Sequence, residues 1–155
     1  MSLFSVADLV PHSGDMLLVD EVIRFGVDDI ETRVLVKAGG LFSQADGSMP
    51  AWVGVELMAQ TIAAFAGCHA RTANEPVALG FLLGTRKYTC NVEAFAAGTA
   101  LTIKAQRSLQ DDNGMAVFEC EMTGPKILAS ARLNVFQPPN ASQYLAESGE
   151  AKKHV

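Results

Sequence analysis

The stretch SMPAWVGVELMAQTIAAFAGCHA, residues 48–70, constrains the fold more than any other part of the chain. It is helical in pattern and apolar on nearly every face, so another layer of the protein has to surround it. Its Ala and Gly content, and the interruptions at Glu56 and Gln60, argue for a core helix rather than a membrane span. The helix is predicted to begin with Pro50 at or near its first turn, where the missing N–H costs nothing, and to run to about Ala70. One acidic residue, Glu56, falls in its second turn.

The surroundings of Glu56 suggest a purpose for it. Trp52 and Gln60 lie four residues to either side and share its stripe, and Ala63, Ala64 and Gly67 continue that stripe with little bulk. One acid, one amide and small residues suit a surface that lines a cavity. The plainer alternative is a carboxylate pointing into water, but such a face would ordinarily carry Lys, Arg or several acids.

Around this helix the chain reads as strands. Residues 5–10 allow one short helical turn, and Pro11–Asp15 is a turn by composition. Met16–Ile23 reads as a strand with a break, and Ile30–Val36 as a second strand that closes a hairpin with it across Asp28-Asp29. Residues 39–48 form an irregular loop. After the helix, Val77–Cys90 is a long strand kinked at its glycines. Leu101–Gln106 and Val117–Met122 alternate cleanly across the turn signal Asp111-Asp112-Asn113-Gly114. Ile127–Phe136 places Ile127, Ala129, Ala131, Leu133 and Val135 on one face. One sheet wrapped on one helix satisfies both apolar surfaces. The expectation is a single α+β domain over residues 1–139 with an antiparallel sheet curled round a central helix, then a polar tail from Asn140.

Composition bounds the function. The 155 residues suit one domain. With 49% hydrophobic and only 19% charged residues, part of the surface is expected to be buried against another copy. A net charge of -5 with no Lys/Arg cluster argues against nucleic acid. Cys68, Cys90 and Cys120 fit no metal spacing and no disulfide ladder, and read as reduced thiols. MSLFSVADLV has no basic start and no cleavage site, so it is not read as a signal peptide. A cytoplasmic protein is expected.

Three strings then point to a family. LVPHSGDMLLVDEV (9–22), MPAWVGVELMAQ (49–60) and GFLLGTRKY (80–88) resemble, in this order, the opening motif, central helix and following strand of the hotdog-fold 3-hydroxyacyl-ACP dehydratases. The strings AWVGVE and GFLLGTR are most similar to a divergent branch associated with aryl-polyene synthase clusters. The resemblance covers roughly residues 9–136. It implies the hotdog fold and a dimer, with an active site at the subunit interface that takes a carboxylate from one helix and a histidine from the other subunit. It also implies an acyl chain delivered on the phosphopantetheine arm of an acyl carrier protein, or as a CoA thioester. No other cofactor and no metal are expected.

One departure from the family matters. Its usual histidine stands fourteen residues before the helix acid, and here that position is Phe42 in GLFS. His154 lies in the tail. His69 is thirteen residues along the helix from Glu56, about 20 Å at the helical rise, and reads as a partner of the helix dipole. His12 remains, in a loop where the family also carries a histidine. Two readings stand side by side: His12 fills the vacant role, or it bonds only its own turn. Asp46 is a weaker polar candidate and reads first as a turn former.

The site expected from the resemblance has His12 as base and Glu56 as the acid that releases the hydroxyl. The free N–H groups around Val53 and Gly54 would face the thioester carbonyl. Gly54 has an equal alternative role in close helix–sheet packing. Gln60 would orient Glu56 or a water. Trp52 would close a wall, with core packing as the larger part of its work. Phe81 and Leu82 would line the acyl tunnel or the core. Arg86, with Lys87, would attract an acidic carrier protein or the phosphate of the arm, or simply end a strand in solvent. Two rivals remain. One is a hotdog thioesterase using the carboxylate and a water. The other is a non-catalytic subunit paired with another hotdog protein.

Overall fold

The computed structural model describes residues 17–75 and 81–136. The expected tail, residues 5–16 and residues 76–80 lie outside the described residues. In chain order the elements are β1 (Glu21–Phe25), β2 (Asp29–Leu35), β3 (Met49–Pro50), α1 (Val53–Thr72), β4 (Phe81–Cys90), β5 (Ala94–Phe95), β6 (Ala100–Gln110), β7 (Met115–Gly124) and β8 (Ile127–Phe136). Six strands form one antiparallel sheet in the order β1-β2-β6-β7-β8-β4, and β3 pairs with β5 in a small separate ribbon.

Alternation explains which face of the sheet meets α1. Ile30 and Val34 of β2, Leu101 and Ile103 of β6, Phe118 and Met122 of β7, and Ala129 and Leu133 of β8 are buried. Their neighbours in sequence mostly face out, as period-two side chains must. Leu57, Met58, Ala64, Phe65 and Cys68 of the helix close over this face. A buried polar tie crosses the same interface: Thr32 and Thr61 share a hydroxyl hydrogen bond of 2.8 Å, and Thr61 also donates to the Leu57 carbonyl at 2.8 Å. Each hydroxyl thereby avoids the cost of burial without a partner.

The turns follow local chemistry. Asp111 Oδ1 accepts the N–H groups of Asn113 and Met115 at 2.9 and 3.0 Å, and Gly114 takes φ 98°, which only glycine adopts freely. The pairing is not uniform at the two sheet edges. β1 shifts register between Val22 and Arg24. β4 shifts twice, between Leu82 and Gly84 and between Arg86 and Thr89. Lys87, inside the second shift, has φ 56°. Within the described strand the shifts therefore fall beside Gly84 and at Lys87, while Gly80 lies outside the described residues.

Several boundaries differ from the sequence reading. The first strand starts at Glu21, and residues 17–20 are not strand, because the N–H groups of Leu18 and Val19 are directed to a helix side chain. Pro50 is not in the helix. It sits in β3 opposite Ala94, where a missing donor is tolerated at a ribbon edge. α1 starts at Val53, which places Glu56 in the first turn rather than the second, and it ends two residues beyond Ala70.

The thiols are free. Burial pushes the Cys68 thiol up to about 11. Burial, reinforced by the Glu119 carboxylate, pushes Cys120 up to about 12. The thiolate is the nucleophile, so neither cysteine is expected to react with an aromatic disulfide reagent at pH 8 in the native protein. Peptide mapping after brief labelling checks this. Rapid native labelling at either position would contradict the burial described.

Candidate active site at the start of the central helix

Glu56 is half-buried on the first turn of α1. Gln60, one turn on, is fully buried. Gln60 Nε2 donates to Glu56 Oε1 at 3.1 Å. The other end of the amide, Oε1, accepts the backbone N–H groups of Leu18 at 2.9 Å and Val19 at 3.2 Å. Of the stripe expected from spacing, Glu56 and Gln60 are joined, and the amide bridges the carboxylate to the segment that enters β1. His12 lies outside the described residues.

The backbone before Glu56 is already partly committed. Ala51 donates to the Glu93 carbonyl at 2.9 Å, Gly54 to Ala51 at 2.9 Å and Val55 to Trp52 at 3.3 Å. Of the two N–H groups expected to be free, that of Gly54 is taken. The N–H groups of Trp52 and Val53 have no acceptor among the described residues, as helix starts leave them.

Gly54 serves close packing. A Cβ built there would lie 2.3 Å from the Tyr88 hydroxyl and 3.0 Å from the Met122 methyl. The Tyr88 hydroxyl donates to the Ala51 carbonyl at 2.5 Å, and burial above all, then the nearby Cys90 thiol, raises its pKa. The space beside Gly54 is thus filled by Tyr88 and is not open to a thioester. Sequence reasoning missed Tyr88. The signal was available in the glycine of an otherwise bulky helix start, which implies something large pressed against it.

Trp52 departs from its expected core role. It is 61% exposed and packs edge-to-face on Phe42, with ring centroids 5.6 Å apart. The position fourteen residues before Glu56 therefore lies against the helix start even though it carries no histidine. Asp46 is a turn former: its Oδ1 accepts the Ser48 N–H at 2.9 Å and the Ser48 hydroxyl at 2.6 Å, and these bonds lower its pKa. His69 is at the far end of α1, where Nε2 meets the Gly26 carbonyl at 2.8 Å and the ring packs on Phe25 and Phe65. That contact ties it to the β1–β2 turn.

On β4, Phe81 pairs in register with Phe136, and Leu82 with Val135. Leu82 is exposed, as is its neighbour Leu83. Arg86 stands opposite Arg132. Arg132 is neutralised by Glu119 at 2.7 Å, whereas Arg86 has no carboxylate partner among the described residues. No cluster of His, Cys, Asp or Glu among the described residues could hold a metal. No described helix is long and apolar enough to cross a membrane.

The family model of the ApeP-like proteins, described as ApeP dehydratase, matches residues 4–146. The chain belongs to the ApeP-like dehydratase family. A solved structure from Xenorhabdus doucetiae, the dehydratase heterocomplex ApeI:P, is similar at 33% identity with a TM-score of 0.82, covering 92% of this chain and 96% of that one. Zebra fish thioesterase superfamily member 2 is similar at 17% identity and TM-score 0.58, covering 86% of this chain and 90% of that one. The E. coli PaaI protein of a phenylacetic acid degradation operon is similar at 17% identity and TM-score 0.53, covering 74% and 80%. The last two share the fold alone. No curated protein matches the chain. Together these establish the hotdog fold and a dehydratase-like enzyme.

Proposed function

We propose that this ApeP-like protein dehydrates a 3-hydroxyacyl thioester on acyl carrier protein in the cytoplasm. The products are the trans-2-enoyl thioester and water, in a type II fatty-acid or polyene-like pathway. The observation that carries the reading is the half-buried Glu56 carboxylate, held by Gln60 on the first turn of the central helix in a chain of a dehydratase family.

In the proposed reaction His12 takes the proton from C2 of the acyl group. The electron pair becomes the C2=C3 double bond as the C3–O bond breaks. Glu56 gives its proton to the departing hydroxyl, which leaves as water. The atoms balance without oxidant or metal, and the only prosthetic group is the substrate's own phosphopantetheine arm. Charge gathers on the thioester carbonyl during proton removal, and preorganised N–H donors stabilise such charge. The donors in this reading are Val53 and Trp52, since the Gly54 N–H is engaged. Leu82 and Phe81 run along the acyl chain, and Arg86 takes the phosphate of the arm.

A specific observation favours a paired form of this enzyme. The similar Xenorhabdus structure is a dehydratase heterocomplex, and Phe42 stands here where the family histidine would be. In this variant a second hotdog subunit completes the site.

The test is the mass change of the acyl group on a 3-hydroxyacyl carrier protein, with this chain alone and with a second hotdog dehydratase subunit added. Loss of water by the wild type, reduced about 100-fold or more in His12→Ala, supports the displaced histidine. Full activity in His12→Ala removes that assignment. Activity only on mixing favours the paired form, and release of free carrier thiol without water loss would replace dehydration by hydrolysis.

A further inference from the structure

We propose that Tyr88 is a positioning residue that holds the peptide unit joining Ala51 to Trp52, and so fixes the aim of the Trp52 N–H. In the function proposed above, on which this rests, that N–H is one of the two donors to the thioester carbonyl. The Ala51 carbonyl accepts from the Tyr88 hydroxyl at 2.5 Å and from the Gly54 N–H at 2.9 Å. Ala51 is tied at its own N–H as well, which donates to the Glu93 carbonyl at 2.9 Å. A trans peptide unit is planar, and its N–H points opposite to its C=O. Holding the Ala51 oxygen at two points therefore directs the Trp52 N–H to the other side, where no described residue accepts it. The hydroxyl also polarises the unit, since hydrogen bonds in series strengthen one another.

A bulge in β4 is what brings Tyr88 there. Arg86 pairs with Arg132 and Thr89 with Ser130, so Lys87 and Tyr88 together stand opposite Ala131. Lys87 takes the extra place, with φ 56°. In an unbroken strand with Arg86 facing out, Lys87 would face the helix and Tyr88 the solvent, because alternate side chains take opposite faces. The added residue reverses that phase. Lys87 is exposed and Tyr88 is half-buried, with its hydroxyl against Gly54. Bulges re-aim side chains in this way. The alternative is that Tyr88 only fills the space beside Gly54.

Two variants separate these roles. Tyr88→Phe removes the hydroxyl and keeps the ring. Thr32→Val removes a buried hydroxyl from the interface of β2 with α1 and controls for general loosening. Each is measured, alone and with a second hotdog dehydratase subunit, for kcat and KM of dehydration. The infrared carbonyl stretch of a trans-2-enoyl pantetheine thioester, 13C-labelled at the carbonyl carbon, is recorded with each protein. A positioning role gives a kcat lower by about tenfold or more in Tyr88→Phe, with KM within about twofold of wild type. It also raises the carbonyl frequency above that with wild type, because the donors no longer meet the oxygen squarely. Thr32→Val keeps the wild-type kcat and band. A wild-type kcat or an unmoved band in Tyr88→Phe, or an equal loss of kcat in Thr32→Val, overturns the proposal. If the wild type does not dehydrate in either form, the dehydratase reading fails separately. The band then decides the positioning, and one that is the same with wild type and Tyr88→Phe sinks it. If Tyr88→Phe does not fold, amide spectra of the wild type decide. The enoyl thioester should move the Trp52 amide proton and leave that of Gly54 in place, and an unmoved Trp52 proton rejects the role.

Discussion

Glu56→Gln should leave the protein folded and remove about 100- to 10,000-fold of its turnover, the range that a positioned general acid contributes. The substitution is nearly isosteric, and its surroundings dictate how the new amide will sit. Gln60 cannot reverse, because its oxygen is held by the N–H groups of Leu18 and Val19. It must keep presenting its NH2 group, so the amide at position 56 must present its oxygen. The hydrogen bond survives, and in the proposed reaction the proton for the leaving hydroxyl is gone. Thermal unfolding and kcat measured together check this. A variant with unchanged Tm and unchanged kcat would remove Glu56 from the chemistry. A large fall in Tm would mean that the site is arranged differently from the description above.

Gly54→Ala reverses an ordinary rule. In a helix interior, alanine in place of glycine usually gains up to about 1 kcal/mol. Here the added Cβ would stand 2.3 Å from the Tyr88 hydroxyl and 3.0 Å from the Met122 methyl. Overpacking of this kind costs about 1–3 kcal/mol, and the hydroxyl cannot withdraw without giving up the Ala51 carbonyl. The substitution should therefore destabilise. Tyr88→Phe alone should also destabilise, through the lost hydrogen bond. In combination the two should cost less than their sum, because removing the hydroxyl clears the closest contact. Chemical denaturation of the four proteins measures this coupling. Strict additivity would show that Tyr88 does not press on Gly54.

Much of the architecture could be read from residue patterns. Alternation in Leu101–Gln106 and Val117–Met122 placed the inner face of the sheet, and the all-round apolar character of residues 53–68 required the sheet to cover it. The resemblance carried the family and singled out Glu56 and Gln60. What was not readable has a common cause, which is that backbone partners distant in sequence override local signals. Pro50 carries a helix-start signal but pairs with Ala94. Leu18 and Val19 look like strand residues, yet their N–H groups go to a glutamine some forty positions away. The Gly54 N–H looks free by position in the helix, but a tight turn to Ala51 uses it. Trp52 looks like core by type, yet it is exposed and packs edge-to-face on Phe42.

The irregular pairing of β1 and β4 bears on how this chain avoids uncontrolled association. An open sheet has two edges with unmatched backbone groups, and a flat edge invites any passing strand to add on and propagate. Among the described residues both edges are bent, β1 once and β4 twice, and bulges increase local twist. A foreign extended segment laid along β4 would stay in phase for only a few residues before its hydrogen bonds fell out of step. A strand with matching kinks would not. The same bends that discourage fibril growth in a chain this rich in apolar residues make strand addition at β4 selective, so the edge discriminates among neighbours by backbone shape before any side chain is compared.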